Sequence, residues 1–279
     1  MPETGNGNYS LIFMTENNIK KETLSIRIST NGFCFCSYTP EVPDSLKVFN
    51  YTPEEDCSLA SNIRTAIERC PLIKEKGIYD IKAIIETGEY TCIPTEHDIP
   101  GEYKQYFHYC FPKNKDAEII PNKLNAQGYT ILFPVENSVY EEINKLGNVT
   151  FYTPASIILG YLGYKPMPEE RYMFAYLYNE LALIISMKNG KAEITNIFRK
   201  DDYANTLFYL LSIWKEQELS QTNDTLYLCG DSSIEIFSLQ AAQFIKNIKR
   251  INPNELFMPS LLNRIGGIPF DLQALILCE

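Results

Sequence analysis

The chain has 279 residues, 45% of them hydrophobic and 22% charged, the balance of a soluble globular protein with length for one large domain or two ordinary ones. A formal net charge of −10 sets its field against nucleic acid and anionic membrane surfaces, whose recognition relies on Lys and Arg neutralising phosphates. The apolar runs are shorter than a membrane span and the opening MPETGNGNYS lacks a secretion signal, so a cytoplasmic protein is expected, its eight cysteines reduced and mostly buried.

Residues 1–22 are polar apart from Leu11–Met14 and read as an arm or an edge strand. Leu24–Ser29 and Phe33–Tyr38 are β-prone runs separated by Asn31-Gly32, a hairpin signal, and Leu46–Phe49 is a third strand. Leu59, Ile63, Ala66, Ile67 and Cys70 then fall on one helix face, and Pro71 stops that helix. Ile78–Glu86 reads as a strand. Further on come a helix over Tyr103–Phe111, a strand over Tyr129–Val135, a helix over Ser138–Leu146, a strand over Val149–Tyr152 and a helix over Ala155–Leu162. Gly163–Pro168, with its two prolines, is the expected linker, dividing the chain into domains 1–165 and 166–279.

The second part repeats the order of the first. Met173–Tyr178 and Leu181–Met187 flank Asn179-Glu180, a length that suits a two-residue hairpin, and Asn189-Gly190 turns into a third strand, Ala192–Phe198. Asp201 and Asp202 are candidate caps for a helix whose Tyr203, Leu207, Leu211 and Trp214 form an apolar stripe. Thr225–Cys229 is a buried strand ending at Gly230. Ser232 and Glu235 have the spacing of a capping box before a helix with Phe237, Ala241, Phe244, Ile245 and Ile248 on its buried face, its Lys246, Lys249 and Arg250 forming a solvated end. The tail, Ile251–Glu279, holds Gly266-Gly267 and an apolar stretch, Leu272–Leu277, that is expected to dock. Three strands, a helix, a strand and a helix, used twice, predict an internal duplication.

That duplicated unit, with extra elements after its first copy, resembles the actin-like ATPase superfamily, whose halves are ribonuclease-H-like domains facing each other across a nucleotide cleft. The segments LSIRISTNGFCFCSY, TLYLCGD and IPFDLQALILCE are similar to those of a family of uncharacterised bacterial proteins assigned to that fold. The resemblance implies an α/β actin-like ATPase fold: two ribonuclease-H-like domains, each a mixed sheet of order β-β-β-α-β-α flanked by helices. It implies no activity.

Active members of the superfamily hold phosphate and metal with an Asp at the end of the first strand of each half and a Gly-rich hairpin, because backbone N–H groups approach phosphate only where side chains are absent. Here the hairpins read Ile28-Ser29-Thr30-Asn31-Gly32 and Leu177-Tyr178-Asn179-Glu180-Leu181, without that Asp and with one Gly between them. After the late strand, Gly230 supplies one adenosine-loop glycine, and Asp231 puts a carboxylate at the helix N-terminus, where a phosphate would otherwise profit. Gly230, Asp231, Asn179 and Glu180 are the candidate cofactor-binding residues of the interdomain cleft. No catalytic and no metal residue is assigned.

Other chemistries find little support. The strands Ser25–Thr30 and Tyr172–Tyr178 contain no Asp or Glu, as a two-metal nuclease would require. The two histidines, His97 and His108, limit zinc sites and imidazole catalysis, and Cys34 with Cys36 reads as a packed strand face. The 19 tyrosines leave two uses for Tyr103, Tyr106 and Tyr109: an interface, or the filling of a cleft without nucleotide. The reading is a non-catalytic binding or assembly module with a protein partner and no cofactor. The alternative is a divergent ATPase or kinase-like phosphotransferase that binds ATP with Mg, using Asp201, Asp202 and Asp231 with Gly230 and Gly267.

Overall fold

The structure, a computed structural model, describes residues 22–39, 42, 45–74, 79–113, 116–251 and 268–277. Strands are numbered along the chain. Glu22–Ser29 (β1), Gly32–Tyr38 (β2), Lys47–Tyr51 (β3), Tyr79–Ile85 (β4) and Val149–Tyr152 (β8) form a sheet of order β3-β2-β1-β4-β8. Arg171–Tyr178 (β9), Leu181–Lys188 (β10), Lys191–Arg199 (β11), Thr225–Gly230 (β12) and Asn247–Arg250 (β13) form another of order β11-β10-β9-β12-β13. In both, the first three strands pair antiparallel and the last two add in parallel. The repeat expected from the sequence is a strand-for-strand repeat of topology.

Period-2 alternation explains why β9 is buried on both faces after Arg171. Met173, Ala175 and Leu177 face the helices Tyr203–Glu216 (α6) and Ser233–Ala241 (α7), against Leu210, Trp214 and Phe237. Tyr172, Phe174, Tyr176 and Tyr178 face the other way, into a core shared with the first sheet. A strand covered on both faces reads as a continuous apolar run. Within that shared core lie Pro154–Tyr164 (α5) and Phe270–Leu277 (α8), with Tyr161 and Phe270 edge to face at 5.6 Å. The apolar tail therefore docks, as expected, and one continuous core joins the two sheets.

Around the first sheet, Leu59–Arg69 (α1) ends at Pro71, which opens a further short helix, Pro71–Lys74 (α2), where its missing N–H is harmless. Tyr103–Cys110 (α3) packs Phe107 on a three-stranded sheet of Thr91–Pro94 (β5), Ala117–Leu124 (β6) and Tyr129–Glu136 (β7), ordered β5-β7-β6. Asn137–Asn144 (α4) leads from it into β8.

Several expectations are corrected. The helix expected to run through Ile248 stops at Ala241; Phe244 is 45% exposed, and Lys249 and Arg250 lie on β13, an edge strand whose charges guard it against further pairing. The expected capping box is not formed: Ser232 makes no side-chain cap bond, and the Ser233 N–H donates to Asp231 Oδ1 at 2.8 Å. The first hairpin turns at Thr30 and Asn31, with Gly32 already paired to Ser29. Gly163 lies inside α5. Strands β5 and β6 were not expected; Pro121 masks β6, an edge strand, where a missing N–H is tolerated. Leu11–Met14 and Gly266-Gly267 lie outside the described residues.

Candidate functional site

On β1, Ser25, Arg27 and Ser29 share one face, so a charge falls inside an otherwise buried strand. Arg27 is 5% exposed and its Nε donates to both oxygens of Asp271 on α8, at 2.9 and 2.8 Å. Its Nη2 donates to Glu86 Oε2 at 3.0 Å, just past the end of β4. The same oxygen accepts from Asn179 Nδ2 at 2.6 Å. Asn179 occupies the β9–β10 turn in the left-handed region, at φ 46°, which Asn tolerates better than most residues. Tyr178 lies with its ring centroid 5.9 Å from the guanidinium carbon and stacks on Tyr176 at 4.5 Å. The first sheet, the second sheet and the terminal helix thus meet in one polar cluster.

The cluster holds one cation against two carboxylates. Burial works against the Arg27 charge, but Asp271 first, then Tyr176 and Glu86, more than offset it and push its pKa upward. Burial likewise pushes the Glu86 carboxyl above its ordinary range, with Arg27 and Asn179 opposing. Asp271 also accepts from its neighbour's backbone, Leu272 N–H, at 2.7 Å. The Tyr176 and Tyr178 hydroxyls are held far above their usual pKa by burial, with nearby carboxylates adding to it.

In open α/β sheets ligands lie beyond the carboxyl ends of parallel strands. Here the ends of β4 and β9 are bridged by Glu86 and Asn179. Of the four candidate residues, Asn179 alone joins this bridge. Gly230 ends β12 at φ 145°, and a Cβ there would stand 1.8 Å from the Leu177 carbonyl oxygen, so close approach of β12 to β9 by itself requires glycine. Asp231 caps α7 and pairs with Lys200 Nζ at 3.0 Å. Burial raises its carboxyl, and the Ser233 and Lys200 contacts overcome this and leave it below the ordinary range. Glu180 is exposed, its carbonyl accepting from Lys200 N–H at 2.6 Å.

Asp202, a candidate metal carboxylate, caps α6 through Ala204 N–H at 3.0 Å. Gly267 lies outside the described residues. Cys34 and Cys36 are buried with sulfurs 3.9 Å apart, and the contact with Cys34, together with burial, pushes the Cys36 thiol well up. Among the described residues no three His, Cys, Asp or Glu side chains gather as a metal ion would need. Tyr103, Tyr106 and Tyr109 do not fill the space between the sheets: the first two bond to Asp98 and Glu102 on their own side of the molecule, and Tyr109 is 91% exposed. Tyr176 and Tyr178, by contrast, lie where the sheets meet. No helix among the described residues is long and apolar enough to cross a membrane.

Arg27, Glu86 and Asp271 were not anticipated as a site. The signal available was a lone Arg inside LSIRIS and a lone Asp inside IPFDLQALILCE, two opposite charges in apolar stretches. Beside Glu86 opens a groove of about 770 Å³ whose walls include Thr87, Phe111, Lys113, Leu181 and Arg199.

Residues 13–248 match the family described as "Protein of unknown function (DUF3822)". Among solved structures, the chain is similar to a Bacteroides thetaiotaomicron protein with actin-like ATPase fold and unknown function, at 24% identity and TM-score 0.80, over 93% of this chain and 97% of that one. It is also similar to the PilM-PilN type IV pilus biogenesis complex, at 11% identity and TM-score 0.59, over 93% of this chain and 98% of that one. No curated protein matches it.

Proposed function

The chain belongs to the DUF3822 family, with an actin-like ATPase fold, and from that premise we propose that it is a non-catalytic, cytoplasmic binding or assembly module whose partner is a protein. The observation that carries this reading is the Arg27, Glu86, Asn179 and Asp271 cluster, which fills the meeting place of the sheets with the chain's own charges. A triphosphate there would set its negative charge beside Glu86 and Asp271 and would compete with both for Arg27. Asp231 and Gly230 have structural employment that accounts for them without a nucleotide. A protein partner is supported by the likeness in fold to a protein of the PilM-PilN complex, and the net charge of −10 argues against a nucleic acid.

The test is phosphate release from Mg-ATP and Mg-GTP by the full chain. The reading expects no release above the protein-free blank. Turnover that disappears in Asp231→Asn, with the fold intact, would overturn it in favour of a divergent ATPase or phosphotransferase.

A further inference from the structure

A second cavity, of about 440 Å³, is lined by residues of β4, β6, β8, α5 and α8, and none of the Arg27 cluster takes part in it. Leu124, Ile157 and Leu275 give it an apolar wall, and its volume is within the range that holds small ligands. Two lysines also line it, and both are engaged: Lys123 pairs with Asp98 at 2.8 Å and Lys82 with Asp80 at 3.9 Å. The charges of the lining therefore do not call for an ionic ligand.

Two other residues of the lining have features that the fold does not account for. Asn122, 8% exposed, donates through Nδ2 to the Phe151 carbonyl at 2.8 Å and to that of Pro121 at 3.2 Å. Two carbonyl acceptors fix which way the amide is turned. Its Oδ1 is left buried with no donor among the described residues, a costly state for an acceptor. Gly160 sits inside α5, where glycine weakens a helix relative to alanine. A Cβ there would come no nearer than 3.8 Å to Leu124 Cδ2, an ordinary contact, so packing does not demand the glycine. At Gly163 the case is different: a Cβ would stand 2.7 Å from Gln127 Nε2. What Gly160 provides is open space in the cavity wall.

We propose that this cavity binds a small uncharged molecule with a hydrocarbon body and a hydrogen-bond donor, a primary amide or an alcohol. Its donor meets Asn122 Oδ1, and its body lies over Gly160 against Leu124, Ile157 and Leu275. Such a ligand satisfies the acceptor that the fold leaves unmet and covers the apolar wall, while committed charges give an acid or an amine no advantage. The site is independent of the reading of the cleft: nucleotides test the one and uncharged probes the other.

The test is ligand-observed NMR titration of the full chain with two probe pairs matched in size, hexanamide beside methyl hexanoate and benzyl alcohol beside anisole. Wild type, Gly160→Leu and Asn122→Leu are compared. Saturable binding of hexanamide or benzyl alcohol is expected, weakened about tenfold in its partner without a donor. Gly160→Leu, which fills the cavity, should abolish binding, and Asn122→Leu should remove the preference for the donor. Thermal unfolding shows whether each variant is folded; if neither is, the pairs compared on wild type decide. Failure of both donor probes to saturate, equal binding of their partners, tighter binding of hexanoate than of hexanamide, or unchanged binding by folded Gly160→Leu would overturn the proposal.

Discussion

Asn179 Nδ2 donates to Glu86 Oε2 at 2.6 Å, and this bond ties the carboxyl end of β9 to that of β4, across the junction of the two sheets. Arg27 binds the same oxygen and carries the link on to Asp271. The two strand ends are thus held together by hydrogen bonds between side chains of this chain.

The two carboxylates are not equivalent. Asp271→Asn leaves a buried guanidinium without its closest counter-charge and should cost about 3–5 kcal/mol of stability. Glu86→Gln retains an acceptor for Asn179 and leaves Arg27 balanced by Asp271, so its cost at neutral pH should stay within about 1 kcal/mol. Urea unfolding of the two variants measures the difference.

The same argument fixes a pH dependence. Glu86 has a folded pKa above its ordinary 4.5, so the folded state binds its proton more tightly than the unfolded state does. The stability this supplies is whole below the unfolded value and is lost as pH rises through the folded one. Wild type should therefore lose ground to Glu86→Gln as the pH is raised from about 4 to about 8, measured as the gap between their urea midpoints. A gap that widens in favour of wild type would reverse the assignment.

Gly230→Ala would drive a Cβ to 1.8 Å from the Leu177 oxygen at a φ of 145°, which no side-chain adjustment relieves. A loss of about 3 kcal/mol or more is expected, read in thermal or denaturant unfolding. A variant as stable as wild type would show that the glycine is not demanded by strand packing.

The Tyr178 hydroxyl is buried without a hydrogen-bond partner among the described residues. Tyr178→Phe keeps the ring over Arg27 and removes that hydroxyl, so stability should hold or rise by about 1 kcal/mol. A clear loss would reveal a bond to the hydroxyl.

Much of the fold was legible because its signals are local. Asn189-Gly190, the Asp202 cap and the stripe of α6 each depend on residues within a few positions. Strand β13 was not legible: its sequence, Asn247 to Arg250, has a single apolar side chain, and Ile245 and Ile248 happened to continue the helical spacing of α7. The site was legible only in part for a different reason. Asn179 stood out as a turn residue, but Arg27 and Asp271 are 244 positions apart, and their pairing exists only once α8 is seated in the core. What the strands did convey was the absence of a carboxylate at the end of β1 or β9.

The central claim, that the chain's own side chains occupy the meeting place of the sheets, is tested most directly by thermal unfolding with and without millimolar Mg-ATP, Mg-ADP and the other nucleoside triphosphates. A ligand that binds the native state at about 100-fold its Kd adds about 2.7 kcal/mol, a shift of several degrees in a protein of this size. The account predicts no shift with any of them. A metal-dependent rise of several degrees, lost in Asp231→Asn, would contradict it and return the cleft to a nucleotide.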